Sequence, residues 1–384
     1  MVYRILSLSV LASLLISLPA SAQTWLWAQR QGGACYDYYV YPYRVATDNQ
    51  GNVYVTGYFY YYATFGSTTY YSYGGTNADM FVAKYNAAGQ LQWVRTGGGT
   101  SSEYGYGIGV DGSGNVYVAG YYYSNPAYFG SWSLATATTP DVFLVKYDAN
   151  GNVLWAARMA GTSTDILYNL AVDANGNCYL TGYFISSTVF YSAGSSTGTT
   201  LTALGSSADV YVAKYNTNGV FQWARAIGGS SSEYGYGVGV DNNGNVYVAG
   251  YYYSNPLYIG STSMSLSVPY ATPEVFLAKF DANGTAQWAA HGLVGSSTEI
   301  LYNMSTDASG NCYLTGYFFS NPAYAISAGG GSSVTLYPAS TTPDVYAVKF
   351  NTNGVVQWAR AAGGTNSEYG YGIDVDNSGN VYVG

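Results

Sequence analysis

Charge is what this chain has least of. Only 8% of its 384 residues are Asp, Glu, Lys or Arg, where a soluble domain ordinarily carries about 25%. The balance is acidic, at −8. A phosphate backbone would be repelled, so no nucleic-acid partner is expected. Histidine is reduced to His291 and cysteine to Cys35, Cys178 and Cys312. A Ser-His-Asp or Cys-His site would have to use that one imidazole, and no His/Cys cluster has metal-ligand spacing. Long apolar runs are scarce too. The one at the start, Ile5 to Leu18, follows Arg4 and precedes Ala20-Ser21-Ala22. That pattern reads as a secretory signal peptide over 1–22, too short for a comfortable membrane span. The mature chain is expected to be secreted and to start at Gln23, without membrane insertion. No Pro/Ser linker or charge run divides 23–384, which is therefore expected to form one architecture.

What the chain has in quantity is repetition. Asp-x-x-Gly-Asn, followed by a short apolar strand, recurs at Asp48, Asp111, Asp173, Asp241, Asp307 and Asp376, at intervals of 62 to 69 residues. One unit runs from Glu103 to Gly161. Tyr104 to Val110 alternates with period two, which predicts a strand with a glycine face for close backbone approach. A turn at Asp111-Gly112-Ser113-Gly114 leads to a second strand, Asn115 to Tyr121. A third runs from Asp141 to Tyr147, and Asp148-Ala149-Asn150-Gly151 turns into a fourth, Val153 to Met159. Third strands open at Asp79, Asp141, Asp209, Glu274 and Asp344, each with Lys five residues on. Fourth strands carry Trp27, Trp93, Trp155, Trp223, Trp288 and Trp358, one per unit, expected as packing anchors between neighbours.

Such repeats predict an all-β fold, a β-propeller of four-stranded antiparallel blades. About six blades are expected, the last incomplete. The mature chain opens on a lone fourth strand, Trp25 to Arg30, and ends after two strands of the sixth unit, so it is expected to continue beyond Gly384. A longer period overlies the first: Tyr-Gly-Tyr-Gly at Tyr104, Tyr234 and Tyr369 alternates with Ile-Leu-Tyr-Asn at Ile166 and Ile300. A site built from the differing positions would recur on every second blade.

The unit resembles the bacterial seven-bladed propeller (SBBP) repeat. The matching features are Gly-Gly before the first strand (Gly98-Gly99, Gly228-Gly229, Gly363-Gly364), the Asp-x-x-Gly-Asn-Val-Tyr-Val-x-Gly core, the Asp-Val-Phe-x-x-Lys-Tyr strand and the Gly-x-x-x-Trp strand. The resemblance covers nearly all of 25–384. It implies a secreted or bacterial surface protein and brings no catalytic residues.

Ionisable groups follow the repeat closely. Among the acids, Asp148, Asp281 and Asp374 stand outside it; among the bases, Arg4 and Arg44 do. His291 takes the place of an Arg that follows the Trp in other units. Turn capping and charge pairing are the expected roles, with no catalytic residue, no metal and no cofactor. Asp173-Ala-Asn-Gly-Asn begins like a calcium loop but lacks the later ligands. Cys178 and Cys312 share one repeat position and are expected as small buried side chains, too far apart for a disulfide.

Tyrosine is in surplus, at 46 residues. Clusters follow the second strand. Tyr121, Tyr122, Tyr123 and Asn125, with Tyr251, Tyr252, Tyr253 and Asn255, are the candidate ligand-binding residues. The connections between strands two and three vary most, as at 186–208 and 320–343, and loops on a rigid scaffold commonly bind. The expected function is a non-catalytic, monomeric binding or adhesion scaffold for polysaccharide or a cell-surface protein. The alternatives are a carbohydrate-active lyase or hydrolase with carboxylates near the axis, and a structural spacer in a larger adhesin.

Overall fold

A computed structural model describes residues 40–135, 139–265 and 272–384. The expected signal peptide, the strand Trp25 to Arg30, and Trp27 and Cys35 lie outside these residues. Five four-stranded antiparallel blades follow one another, then a two-stranded beginning of a sixth, Ile373–Val375 and Val381–Val383. In the second blade the strands are Glu103–Val110, Val116–Tyr122, Asp141–Tyr147 and Val153–Gly161, within a residue or two of the expected bounds. First strands line the axis of the ring and fourth strands its rim.

Each Asp-x-x-Gly-Asn turn is closed by its own aspartate. Asp111 Oδ1 accepts from the backbone N–H of Ser113 and Asn115, both at 2.9 Å; Oδ2 accepts from Asn115 Nδ2 at 2.8 Å and Tyr117 Oη at 2.9 Å. The carboxylate's acceptor capacity is committed within the turn. Asp148 and Asp281 cap the turns between strands three and four in the same way, where Asn216 and Asn351 stand in other blades. They belong to a series after all.

The connections between strands two and three are not free loops, contrary to expectation. Each carries a hairpin, and from the second blade on, as with Ala127–Phe129 and Trp132–Leu134, it pairs with the fourth strand of the preceding blade. Phe129 lies opposite Gly97, Tyr191 opposite Arg158, Ile259 opposite Ile227, and Ile326 opposite His291. An outer strand exposes unpaired N–H and C=O groups. The hairpin covers that edge and latches each blade to the one before.

Apolar cores lie between neighbouring blades, save one cluster formed by the first blade and its own hairpin. Val210 and Val212 of the third blade pack in one cluster with Phe276 and Ala278 of the fourth. On the other side of the fourth blade, Val275 and Leu277 join Leu314 and Tyr346 of the fifth. The tryptophans seal these seams. Trp223 Nε1 donates to the carbonyl of Ala282 in the next blade's turn at 3.0 Å, and Lys214 Nζ reaches the same oxygen at 3.3 Å. Trp93, Trp155 and Trp288 repeat the contact at Ala149, Thr217 and Thr352. The turn glycine lies over the indole. At Gly284, φ is +77° and a Cβ would come within 2.6 Å of Trp223 Cδ2.

Cys178 and Cys312 are buried free thiols, in keeping with their expected packing role. Trp223→Ala should cost about 3–5 kcal/mol, because it leaves a cavity and an unpaired carbonyl in one seam. Chemical unfolding checks this, and a loss under about 1 kcal/mol would show that the indole does not hold the seam.

Candidate binding site at the ring axis

The expected strict alternation of the first strand breaks at one residue in every complete blade. Gly105 lies opposite Gly120 and Gly107 opposite Ala119, so Tyr106 is an extra residue, a β-bulge. Tyr43, Tyr168, Tyr236 and Tyr302 are bulged at the equivalent positions. The bulge reverses the facing of the residues after it. A Cβ on Gly105 would meet Thr56 of the preceding blade at 2.5 Å, while one on Gly107 would meet Leu170 of the following blade at 2.6 Å. Glycine lets both neighbours close in, and the bulge turns the tyrosine toward the axis.

These residues, with Tyr371 of the sixth unit, form a collar around an axial channel of about 1150 Å³. Ring centroids lie 4.0 Å apart for Tyr43 and Tyr106, 4.4 Å for Tyr168 and Tyr236, and 4.8 Å for Tyr302 and Tyr371. Second-strand tyrosines back them: Tyr121 stacks on Tyr106 at 5.3 Å and Tyr251 on Tyr236 at 5.6 Å. Beyond the collar the wall is aliphatic, with Ile108, Leu170, Val238 and Met304. Burial pushes the phenols of Tyr121 and Tyr302 up to about 12. Burial likewise raises Tyr106, Tyr168 and Tyr236, so these phenols present neutral hydroxyls and aromatic faces at ordinary pH.

Of the expected site residues, Tyr121 and Tyr251 reach this collar. Tyr122 and Tyr252 do not: strand alternation turns them inward and they are 0% exposed. Their expected place on a binding surface is corrected; they are core. Tyr123 is exposed and touches Tyr104 at 6.4 Å, and Tyr253 is half-buried against Tyr251 at 6.1 Å. Asn125 and Asn255 are exposed at the start of the latching hairpins, outside the residues lining the channel. Ser124 and Ser254 before them are structural, each donating its N–H to Glu103 or Glu233. The bulged tyrosines were not singled out in the sequence, although one Tyr stands at that place in both the Tyr-Gly-Tyr-Gly and Ile-Leu-Tyr-Asn forms.

Eight further acids face each other in pairs across the seams. Asp79 of one blade faces Glu103 of the next; Asp141 faces Asp165, Asp209 faces Glu233 and Glu274 faces Glu299. All are buried. The outer oxygens accept backbone N–H bonds, as from Tyr73 to Asp79 at 2.9 Å and from Ser254 to Glu233 at 3.1 Å. One inner oxygen each of Asp79, Glu103, Asp209 and Glu233 has no donor. A proton held between the two carboxyls satisfies both. Burial raises Asp79 and Glu233 to about 7 and Glu103, Asp165 and Glu299 to about 8; for all but Asp79 the neighbouring carboxyl adds to the rise. Substrate cannot reach these groups. Among the residues lining the channel the one acid is Asp374, whereas glycoside hydrolysis ordinarily uses two facing carboxyls. His291 is also in a seam, with Nδ1 at 3.2 Å from Tyr252 Oη and 3.7 Å from Glu274, and burial lowers its pKa.

A ring of repeated four-stranded blades around an axial channel defines a β-propeller. Two stretches of the chain, residues 26–58 and 222–258, match the model of the SBBP β-propeller repeat. An uncharacterized WD repeat-containing protein of Acanthamoeba polyphaga mimivirus is 26% identical over 79% of this chain and 26% of its own length. Regulatory protein FlaEY of Caulobacter vibrioides is 31% identical over 27% of this chain and 11% of its own. The chain thus spans a minor part of both relatives. Among solved structures, the Neurospora crassa Pan2 WD40 domain aligns with 88% of this chain and 83% of its own, at 10% identity and a TM-score of 0.36. No helix among the described residues is long and apolar enough to cross a membrane.

The acid pairs predict the pH dependence of stability. Their folded pKa values lie above the unfolded ones, so their contribution is whole below about pH 4 and is lost as pH rises through about 7 to 8. The thermal midpoint should fall between about pH 5 and about pH 9. Glu103→Gln, whose amide can donate to Asp79 permanently, should flatten that fall. A midpoint that climbs over the interval would exclude shared protons.

Proposed function

We propose that this protein is a non-catalytic binding scaffold that takes polysaccharide at the tyrosine-lined mouth of its channel. One observation carries the reading: every complete blade spends a bulge on aiming a tyrosine at the axis. Aromatic faces stack on the apolar faces of sugar rings, and neutral hydroxyls exchange hydrogen bonds with sugar hydroxyls. The site is concave and preformed, as ligand sites commonly are. Stacking between the collar rings and their second-strand partners holds them in place, so little side-chain freedom is lost on binding.

Residues 1–22 read as the export segment, which sets the protein among extracellular glycans and surface proteins, and 23–384 as the propeller itself. Mass spectrometry of the protein recovered from culture medium should give an N-terminus at Gln23. Retention inside the cell with Met1 in place would exclude export.

The binding reading is tested by titrating purified protein with a panel of oligosaccharides. Tyr236→Ala should weaken binding of the best ligand by about tenfold or more, equal to about 1.4 kcal/mol of lost stacking. Far-ultraviolet circular dichroism checks that the variant is folded. Undiminished affinity in the folded variant would reject the collar as the site.

A further inference from the structure

Outside residues 1–22, Arg44 is the one basic residue that stands apart from the repeat, and it lies in the channel wall. It follows the bulged Tyr43. The residues at that place in the other units are Gly107, Asn169, Gly237, Asn303 and Gly372. The asparagines have a structural task. Asn169 Nδ2 donates to the carbonyl of Tyr236 at 3.0 Å, and Asn303 Nδ2 to that of Tyr371 at 3.4 Å. Their Oδ1 atoms accept from the next backbone N–H, at 2.8 Å in both cases. Each asparagine clasps the following collar tyrosine's backbone.

Arg44 does none of this. No side-chain hydrogen bond or ion pair joins it to any described residue. Asp374, the other charged residue of the wall, is engaged by Ser305 Oγ and the N–H of Val375, both at 2.9 Å. Burial presses the Arg44 pKa down, yet a guanidinium stays charged in a protein. A half-buried cation without a partner is costly unless an anion arrives. Arg44 also breaks the ring's symmetry at the mouth of a cavity lined by aromatic faces.

We propose that the channel binds an anionic sugar residue, a uronic acid, whose carboxylate pairs with the Arg44 guanidinium while its ring lies against Tyr43 and Tyr106. The planar fork of five N–H donors fits a planar carboxylate bidentately. The flanking tyrosines, centroids 4.0 Å apart, supply the adjoining aromatic surface. The inference rests on the reading of the collar as a glycan site and adds the ligand's charge. It also gives binding a salt dependence that stacking alone lacks.

The experiment compares oligogalacturonate, a neutral oligogalactoside of equal length and its sulfated form by isothermal titration calorimetry. The proteins are the wild type, Arg44→Asn, Arg44→Lys and Tyr236→Ala. Arg44→Asn restores the residue that the third and fifth blades already carry, so the fold should persist. The expected result is tighter binding of oligogalacturonate than of the neutral sugar. Arg44→Asn should lower that affinity by about tenfold or more, with the neutral sugar unaffected, and Arg44→Lys should recover only part of it. Equal affinity for acidic and neutral sugars, or an unchanged acidic affinity in Arg44→Asn, would overturn the proposal. If Tyr236→Ala still weakened binding, the collar reading would survive. Preference for the sulfated sugar would overturn the carboxylate assignment. Absence of binding by every sugar would overturn both readings together.

Discussion

The contact between one blade and the next is the interaction on which everything else rests. A four-stranded blade is apolar on both faces and cannot be buried alone. Phe143 and Val145 turn to the first blade while Val142 and Leu144 turn to the third. Polar groups lock the same seams. An indole N–H and a lysine reach one turn carbonyl, a hairpin adds to the outer edge, and two carboxyls meet between the third strand of one blade and the first strand of the next. Few charges are left for the surface because the repeat uses its ionisable groups in these seams and turns.

The tyrosine collar follows from that packing. In the second and fourth blades the first strand lies so close to both neighbouring blades that glycines such as Gly105 and Gly107 are required, one facing each neighbour. Two residues so near in sequence can face opposite neighbours only if a bulge falls between them. The bulged residue then has one open direction, toward the channel. A tyrosine there meets the tyrosines of adjoining blades, and the collar arises from the constraint that closes the ring. Arg44 is where this regularity yields: a charge stands at a place that the other units fill with Gly or Asn.

Much of the fold was legible because a repeat reports the same environment several times. Strand period, turn chemistry, Trp spacing and Lys spacing each recurred at one phase, so the second blade's strands could be read within a residue or two. The site was less legible. Tyr121 and Tyr251 were identified from their clusters, but Tyr122 and Tyr252 came with them, because a triplet in a strand does not say which member faces inward. The bulge was hidden because inserting one residue into Tyr104–Val110 leaves the apparent alternation of Tyr and Gly intact. The latching hairpins were hidden because their partners belong to the preceding blade.

The sequence by itself determined the repeat unit, its strands and turns, and which residues cap them, since these depend on local backbone preference and short-range hydrogen bonds. Tertiary structure alone decided that the acids of adjacent units face each other, that connecting segments become edge strands, and that one tyrosine per blade points to the axis. Those outcomes depend on which surfaces meet when blades close around a centre, and residues some 25 to 70 positions apart carry no mutual signal until they touch.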